Sequence, residues 1–296
     1  MIGEYFKACI ICNSSDIKDM KGFEGAFLCK CAKCSFVFSR RIPTLAELMN
    51  HYDGYGRNDF LSDITIKRYN ELLDTFQKVR KTNRILDIGC GIGYFLEVAL
   101  KRGWEVYGTE FTEKAIEICE AKGIKMHKGA LNPDNYPKDF FDVVTSFEVI
   151  EHINTPQIEI KNIHEVLRKD GYFYVTTPNF NSLLRYHLKE KYNVIGWPEH
   201  LSYYSPKTMN FLLSQNGFKK KWMKTTGFSL TRLNTSKQED IPYTSHAFIA
   251  EDTKDEQLRR SFEENALLGF VKKSVNTTLS MLGKGDALKA LYFKNK

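Results

Sequence analysis

The chain has 296 residues, of which 42% are apolar and 27% charged, as is ordinary for a soluble globular protein. No stretch approaches the ~20 apolar residues of a membrane-spanning helix, and the first residues lack the pattern of a secretion signal, so we expect a cytoplasmic protein without a transmembrane segment. The net charge of +7 suits an anionic substrate or surface but is weak evidence for nucleic-acid binding.

The first 43 residues hold two closely spaced cysteine pairs. Cys9 and Cys12 form one pair, and Cys31 and Cys34 form the other. Each pair can present two thiolates to one tetrahedral ion, and a site of four cysteines usually binds structural zinc. Cys29 is an alternative ligand, but Cys31 is preferred because it restores the two-residue spacing. Unrelated reduced thiols are the second interpretation of the cluster.

Residues 44–82 are predicted to form a helical lid and linker. The segment 49–60 is rich in aromatic residues and glycine, which favours a lid that brings Tyr52 or Tyr55 to a ligand. Apolar residues at helical spacing predict a core-packed helix over residues 63–80.

Strand and helix patterns alternate from residue 83 to about 228. The predicted strands are Arg84–Ile88, Trp104–Gly108, Ile124–His127, Phe141–Phe147 and Tyr172–Thr176. One predicted helix follows Gly93, and the other predicted helices cover Thr112–Lys122, Ile158–Leu167 and Pro206–Gln215. This alternation predicts a doubly wound α/β fold with a parallel sheet and helices on both faces. A helical insertion is expected around residues 255–282, before a last strand, within a domain of residues 83–296.

Three glycines directly follow the first strand of this series. A tight turn from strand to helix needs positive φ angles and space that a Cβ would fill, so Gly89, Gly91 and Gly93 predict a turn beside a ligand. Asp87 suits a ligand with an ammonium group, and Glu110 ends the next strand, where a carboxylate can accept both ribose hydroxyls. A ligand with both features is S-adenosylmethionine.

The segments ILDIGCGIGYF, GTEFTEKAIEICEAKGI and DVVTSFEVIEHINTP resemble class I S-adenosylmethionine-dependent methyltransferases. The resemblance covers residues 83–228 and implies a Rossmann-like, mostly parallel seven-stranded sheet that includes LKALYFK near the end of the chain. It implies cofactor contacts from Asp87, Gly89, Cys90, Gly91, Gly93, Glu110, Phe111, Ala130, Leu131 and Phe147. No carboxylate occurs at Ala130 and Leu131, so backbone groups would recognise the adenine there.

The segment FEVIEHI places three chemically active residues beyond the fourth predicted strand. Residues three and four apart share one helical face, so Glu148, Glu151 and His152 can bind a divalent cation together, with His200 as a further candidate. The pattern resembles ubiquinone-pathway O-methyltransferases and small-RNA 2′-O-methyltransferases, which implies a metal such as Mg²⁺, Mn²⁺ or Zn²⁺ on these four residues. Alternatively, His152 acts without metal as a general base.

The expected function is methyl transfer to a hydroxyl of a small molecule or glycan precursor, with the acceptor pocket built by residues 178–205. A second hypothesis is an RNA methyltransferase whose zinc module binds nucleic acid. It is disfavoured because SFEV stands where an Asn-Pro-Pro-Tyr motif would be and because the basic charge is scattered. A C- or N-methyltransferase of a sugar and a non-enzymatic binding protein are two further hypotheses. The protein could also form an oligomer.

Overall fold

The computed structural model describes residues 4–44, 46–48, 61–229, 232–233 and 266–295. The predicted lid at 49–60, with Tyr52 and Tyr55, lies outside these residues, as does the start of the predicted insertion at 255–282. In the described part of the chain, no helix is long and apolar enough to cross a membrane.

The regular elements follow the predicted order. The N-terminal part contains β1 (Ile17–Asp19), β2 (Leu28–Cys31) and β3 (Val37–Ser39). The larger part contains α1 (Asp63–Phe76), β4 (Arg84–Ile88), α2 (Tyr94–Lys101), β5 (Glu105–Glu110), α3 (Glu113–Ala121), β6 (Lys125–Lys128), β7 (Phe141–Phe147), α4 (Pro156–Val166), β8 (Leu167–Pro178), α5 (Leu183–Leu188), β9 (Ser202–Tyr203), α6 (Pro206–Gln215), β10 (Phe218–Thr226), α7 (Ala266–Leu282) and β11 (Ala287–Lys294).

The described strands form a seven-stranded sheet in the order β10-β11-β8-β7-β4-β5-β6. Strands β4 to β8 pair in parallel, whereas β11 runs antiparallel to β8 and β10. The chain builds outward from β4 through β5 to β6 and then returns to place β7 on the other side of β4. This reversal confirms the predicted doubly wound fold, and it opens a crevice beyond the carboxyl ends of β4 and β7.

Side chains alternate between two hydrophobic cores, one on each face of the sheet. On β4, Ile85 packs with α1 and α2 in one core, while Leu86 packs in the other core with α4 and α6. On β7, Val143 and Val144 divide between the same two cores. Buried parallel strands are therefore apolar on both faces, which explains why their sequences show runs of apolar residues rather than strict alternation.

Strand β8 is longer than predicted. The sequence predicted a helix up to Leu167 and a strand that begins at Tyr172, but β8 already begins at Leu167. Its pairing with β7 shifts between Leu167 and Tyr172, which marks a bulge. A Cβ on Gly171 would lie 2.8 Å from the Arg168 carbonyl oxygen, so the bulge requires glycine at this position.

The small N-terminal sheet has the order β1-β2-β3-β9, so its last strand comes from residues 202–203. The buried cysteines and Phe36 also pack within the same hydrophobic core as α4 and α6 of the larger part. The N-terminal part, which we call the cysteine module (residues 4–43), is therefore joined to the larger part by both backbone pairing and side-chain packing.

A buried carboxylate connects the amino ends of three strands. Asp142 Oδ2 accepts hydrogen bonds from the backbone N–H groups of Lys81, Thr82 and Asn83 at 2.9, 2.7 and 2.7 Å, just before β4 begins. Its other oxygen accepts a hydrogen bond from Arg168 Nε at the start of β8. Asp142 is fully buried, so each of these partners replaces lost hydration.

Asp142→Ala should lower the free energy of unfolding by about 3–5 kcal/mol, because it leaves the Arg168 charge buried without its partner. Urea unfolding of wild type and variant measures this difference. The control is Asp74→Ala, which removes a surface pair between Asp74 and Arg102 at 2.5 Å and should cost less than about 1 kcal/mol. Equal effects of the two variants would contradict the anchoring role of Asp142.

Candidate functional site

A turn of three glycines joins β4 to α2 at the crevice. Gly89, Gly91 and Gly93 have φ angles of +62°, +56° and +78°, the left-handed region that the sequence predicted for this turn. The turn is held by hydrogen bonds from Gly89 N to Thr109 Oγ1 at 3.3 Å and from Gly93 N to the Cys90 carbonyl oxygen at 3.0 Å. Its backbone is thus fixed by the folded protein itself.

Two of these glycines are also required by packing against the protein. A Cβ on Gly89 would lie 2.7 Å from a methyl group of Val149, and a Cβ on Gly93 would lie 2.5 Å from a methyl group of Ile124. Such contacts are too close for any real side chain. Close packing of β4 and α2 against their neighbours therefore excludes larger residues, independently of any ligand.

The two acidic residues beside the turn have different environments. Asp87 is buried, and Thr145 Oγ1 donates a hydrogen bond to its Oδ1 at 2.7 Å. Burial raises the pKa of Asp87 to about 8, only partly opposed by Thr145. Glu110 is partly exposed, and its carboxylate accepts hydrogen bonds from Gly91 N at 3.0 Å and Phe111 N at 2.8 Å. Glu110 is thereby held directly beside the glycine turn.

These residues fit a cationic adenosyl ligand. Asp87 has no buried cation as a partner in the described hydrogen bonds, and an ammonium group would supply the missing positive charge. The carboxylate of Glu110 retains lone pairs for hydroxyl donors. If S-adenosylmethionine binds here, Glu110 would hold the ribose and Asp87 would lie near the cationic methionyl part.

The remaining predicted cofactor contacts lie in varied surroundings. Phe111 is 70% exposed beside Glu110, and Ala130 is also exposed. Leu131 is buried, and its carbonyl oxygen accepts a hydrogen bond from Asn162 Nδ2 at 3.0 Å. Phe147 ends β7 and packs against other aromatic rings, with its centroid 5.0 Å from that of Phe95. Cys90 lies inside the turn, with its sulfur 4.0 Å from the Met126 sulfur.

The segment after β7 forms a tight turn rather than an α-helix. Glu148 has a φ of +53°, and its N–H donates to the carbonyl oxygen of Thr176 at 3.1 Å. A single 3₁₀ turn, Ile150–His152, follows. Glu148 therefore lies outside the helical turn. The prediction that Glu148 and Glu151 share one face of a helix is wrong.

Glu151 and Glu148 both have raised pKa values. Glu151 is 3% exposed; burial raises its pKa well above the usual range, and the charge of Glu148 adds to this shift. Thr177 Oγ1 donates a hydrogen bond to Glu151 Oε2 at 3.0 Å. Solvent reaches the Glu148 side chain, yet the surrounding protein removes enough hydration to raise its pKa as well.

Two histidines from distant parts of the chain lie side by side. The ring centroids of His152 and His200 are 4.8 Å apart. His152 Nδ1 lies 2.9 Å from the Glu199 carbonyl oxygen, and His200 Nδ1 lies 2.6 Å from the Val194 carbonyl oxygen. Because a carbonyl oxygen only accepts, each Nδ1 carries the proton, and in the neutral ring the lone pair is on Nε2.

Three of the four residues predicted as a catalytic group come together. The ligand atoms of Glu151, His152 and His200 lie within 4.8 Å of one another in the described residues, and Glu148 is not part of this group. We call residues 194–201, which carry His200 and both carbonyl partners, the histidine loop. Glu151 holds the end of this loop, because its backbone carbonyl oxygen accepts a hydrogen bond from Leu201 N at 2.8 Å.

The sequence analysis missed the hydroxyl groups that hold the two buried acids. Thr145 and Thr177 are both buried and lie near the carboxyl ends of β7 and β8. A hydroxyl residue near the end of an otherwise apolar strand was an available signal for both. The backbone carbonyl groups that orient the histidines carried no such signal, because every residue has one.

The four predicted metal-binding cysteines form one compact group. The sulfur atoms of Cys9, Cys12, Cys31 and Cys34 all lie within 4.8 Å of one another. Two pairs, Cys9 with Cys34 and Cys12 with Cys31, are 3.5 Å apart. Zn–S bonds of 2.3 Å in a tetrahedron place sulfur atoms about 3.8 Å apart, so this group fits a zinc ion.

Both cysteine pairs end in the same backbone turn. Asn13 N donates to the Cys9 carbonyl oxygen at 2.9 Å, and Ser35 N donates to the Cys31 carbonyl oxygen at 2.9 Å. Asn13 and Ser35 have positive φ angles of 58° and 67°. Cys29 is outside the group, and its sulfur lies 3.5 Å from the Phe38 carbonyl oxygen.

Comparisons with known proteins identify a matching family and related sequences. A family described as a methyltransferase domain matches residues 60–221, which is more than half of the chain. A ubiquinone biosynthesis O-methyltransferase of Pelagibacter ubique is 28% identical over 130 residues, covering 42% of this chain and 51% of the relative. The corresponding protein of Coxiella burnetii is 30% identical over 107 residues, covering 34% and 46%. The chain thus spans about half the length of these relatives.

Solved structures share the fold. A SAM dependent methyltransferase from Archaeoglobus fulgidus has a TM-score of 0.52 and 21% sequence identity, covering 83% of this chain and 99% of that chain. At this identity the likeness concerns the arrangement of strands and helices.

The four-cysteine group should retain a zinc ion through purification, at about one ion per chain by elemental analysis. Cys12→Ser should lower this content, because it removes one of four ligands. The control is Cys29→Ser, which should keep the metal. Replacement by Co²⁺ in the wild-type protein should give thiolate-to-metal absorption. Equal metal loss in both variants, or no such absorption, would contradict the assignment.

Binding of S-adenosylmethionine should release a proton at pH 7, because burial raises the pKa of Asp87 to about 8 and a cationic ligand favours its carboxylate. Affinity should therefore rise with pH up to about 8 and then level off. Calorimetry in two buffers with different ionisation enthalpies measures the released proton. Asp87→Asn should abolish the release, whereas Asp134→Asn should keep it; heat independent of the buffer would refute the role of Asp87.

Proposed function

Because the chain belongs to the methyltransferase domain family, we propose that it transfers a methyl group from S-adenosylmethionine to a hydroxyl oxygen of a small molecule or glycan precursor. The observation that carries this proposal is the group of Glu151, His152 and His200 beyond the end of β7. A hydroxyl is a poor nucleophile until its proton is removed, and this group contains the bases that the step needs.

The crevice supports the cofactor half of the proposal. S-adenosylmethionine supplies a methyl group on a sulfonium, which is already a good leaving group. The protein therefore needs to align the acceptor with the methyl group and exclude water. The glycine turn and Glu110 lie at the ends of β4 and β5, and the histidine pair follows β7, the neighbour of β4 on its other side. A ligand in the crevice would thus lie between the two groups of residues.

The protons of the histidine pair support a basic role. Both Nδ1–H groups donate to backbone carbonyl oxygens, so Nε2 is the basic atom of each neutral ring, and both rings belong to the group that contains Glu151. Burial raises the pKa of the neighbouring Glu151 carboxyl, and a positive charge on either imidazole would favour its carboxylate form. In this proposal His152 or His200 takes the acceptor proton, and Glu151 stabilises the imidazolium.

The same three side chains would also hold a divalent ion, which would lower the pKa of a bound hydroxyl. Two imidazoles and one carboxylate favour Zn²⁺ or another transition metal over Mg²⁺, because Mg²⁺ prefers oxygen ligands. Glu148 would have added a second oxygen, but it lies outside the group. The backbone hydrogen bonds at both Nδ1 atoms are of the kind that orients metal-binding histidines.

Glu151→Gln and His200→Asn should each reduce the rate of methyl transfer by about 10²–10⁴-fold, the usual contribution of a positioned base. The measurement follows isotope-labelled methyl groups from S-adenosylmethionine into products of fractionated cell extract by mass spectrometry. Cofactor affinity should change by no more than about twofold. Elemental analysis shows whether the base acts through a metal: a second ion per chain, beyond the one expected on the cysteine group, should then be lost in both variants.

The matched control is Glu165→Gln, on α4 beside Lys138, with an ion-pair distance of 3.2 Å. Glu165 lies toward the amino end of β7, away from the crevice, and its variant should keep full activity. Methyl transfer that survives in both site variants would refute the assigned chemistry. A methylated RNA as the main product would replace the proposed acceptor class.

A further inference from the structure

The cysteine module and the histidine loop are parts of one small sheet. Strand β3 pairs antiparallel with β9, with Val37 opposite Tyr203 and Phe38 opposite Ser202. Ser39 N donates to the Leu201 carbonyl oxygen at 2.8 Å, one residue beyond His200. The module therefore contacts the backbone at the end of the histidine loop directly.

The same stretch of backbone continues into the turn that carries Glu151 and His152. Leu201 N donates to the Glu151 carbonyl oxygen at 2.8 Å, and Ser202 Oγ donates to the Ile153 carbonyl oxygen at 2.8 Å. Leu201 thus accepts a hydrogen bond from the module and donates one to the turn after β7. Movement of β3 would be passed to His200 through a single residue.

Side chains connect the middle of the histidine loop to the module. The Trp197 ring lies 5.3 Å from the Phe27 ring, edge to face, and the Arg41 guanidinium lies 4.3 Å above the Trp197 ring. Around them, a hydrophobic cluster combines Ala26, Leu28 and Val37 of the module with Phe180, Ile195, Trp197 and Tyr203. The loop therefore contacts the module at Ile195 and Trp197 as well as at Leu201.

The cysteine group sets the position of β3. Cys31 ends β2, and its N–H donates to the Phe36 carbonyl oxygen at 2.9 Å, one residue before β3 begins. Cys34 lies within this turn. Phe36 is fully buried, with its ring 5.1 Å from that of Tyr204, just after β9. An ion bound to the four sulfurs would fix the turn from which β3 starts.

We propose that the metal-binding cysteine module is a positioning element for the acceptor site. The ion on Cys9, Cys12, Cys31 and Cys34 holds β3, and β3 with Phe27 and Arg41 holds the histidine loop so that His200 stays beside His152. The effect of this positioning on catalysis rests on the proposed function. The cofactor turn is held separately, by Thr109 and Glu110.

The proposal predicts that loosening the module lowers kcat and leaves cofactor binding intact. Phe27→Ala removes the ring that packs against Trp197 from the module side. Methyl transfer should fall about 10–100-fold, because a shift of about 1 Å in a catalytic group has effects of this size. The affinity for S-adenosylmethionine and the zinc content should stay within about twofold of wild type. Phe27→Tyr keeps the ring and should restore the rate.

Hydrogen exchange measured by mass spectrometry gives a readout that does not depend on catalysis. Introducing Cys12→Ser, which removes one ligand of the cysteine group, or Phe27→Ala should speed amide exchange in residues 194–203 by about tenfold, because the loop then opens locally more often. Cys29→Ser, which leaves the cysteine group intact, should keep exchange slow. The control is Phe293→Ala, which removes a partly buried ring on β11 opposite Tyr172 of β8 and should leave exchange in residues 194–203 unchanged.

The outcomes separate the two proposals. Unchanged exchange in residues 194–203 in both Cys12→Ser and Phe27→Ala would overturn the positioning role, whatever the activity. Faster exchange with an unchanged rate of methyl transfer would overturn it as well. Faster exchange together with a wild-type protein that transfers no methyl group would keep the connection between module and loop and refute the proposed function alone.

Discussion

Parallel pairing of β4 with both β5 and β7 is the constraint on which the rest of the structure depends. It brings the carboxyl ends of the three strands to one edge, and the reversal of strand order at β4 prevents the following segments from closing over the same space. The glycine turn, Glu110 and the turn after β7 are consequently neighbours although about 60 residues separate them. The hydrogen bonds of Asp142 connect the amino ends of β4, β7 and β8. The residues at the carboxyl ends of these strands are therefore not needed for this connection.

Three of the buried carboxyl groups fall into two kinds, which differ in their partners. Asp142 has a buried arginine and three backbone donors, which together replace its hydration. Asp87 and Glu151 each have a threonine hydroxyl, and burial raises the pKa of both. A cation near either group would recover the free energy lost by dehydration. The difference is physically informative: the first kind stabilises the fold, while the second favours positively charged ligands at the crevice.

The cysteine module shows how a domain of only about 40 residues can take part in a larger one. Its strands are short, and it gains stability from packing into the core beneath α4 and α6 and from pairing with β9. Because β9 directly follows the histidine loop, the same contacts that stabilise the module also restrict His200. Stability and site geometry thus depend on the same hydrogen bonds and the same aromatic packing.

The sequence by itself determined what depends on neighbouring residues. Spacing predicted the strands Arg84–Ile88 and Phe141–Phe147, the helix Pro206–Gln215, the glycine turn with its positive φ angles and the two cysteine pairs, because each is fixed by a few adjacent residues. Only the tertiary structure decided which distant groups meet. It excluded Glu148 from the group of Glu151 and His152, since a positive φ and a 3₁₀ turn replace the expected helix. It also paired β3 with β9 and placed backbone carbonyl groups against both histidines. Such contacts join segments far apart in the chain through backbone groups that every residue possesses, so no residue pattern marks them in advance.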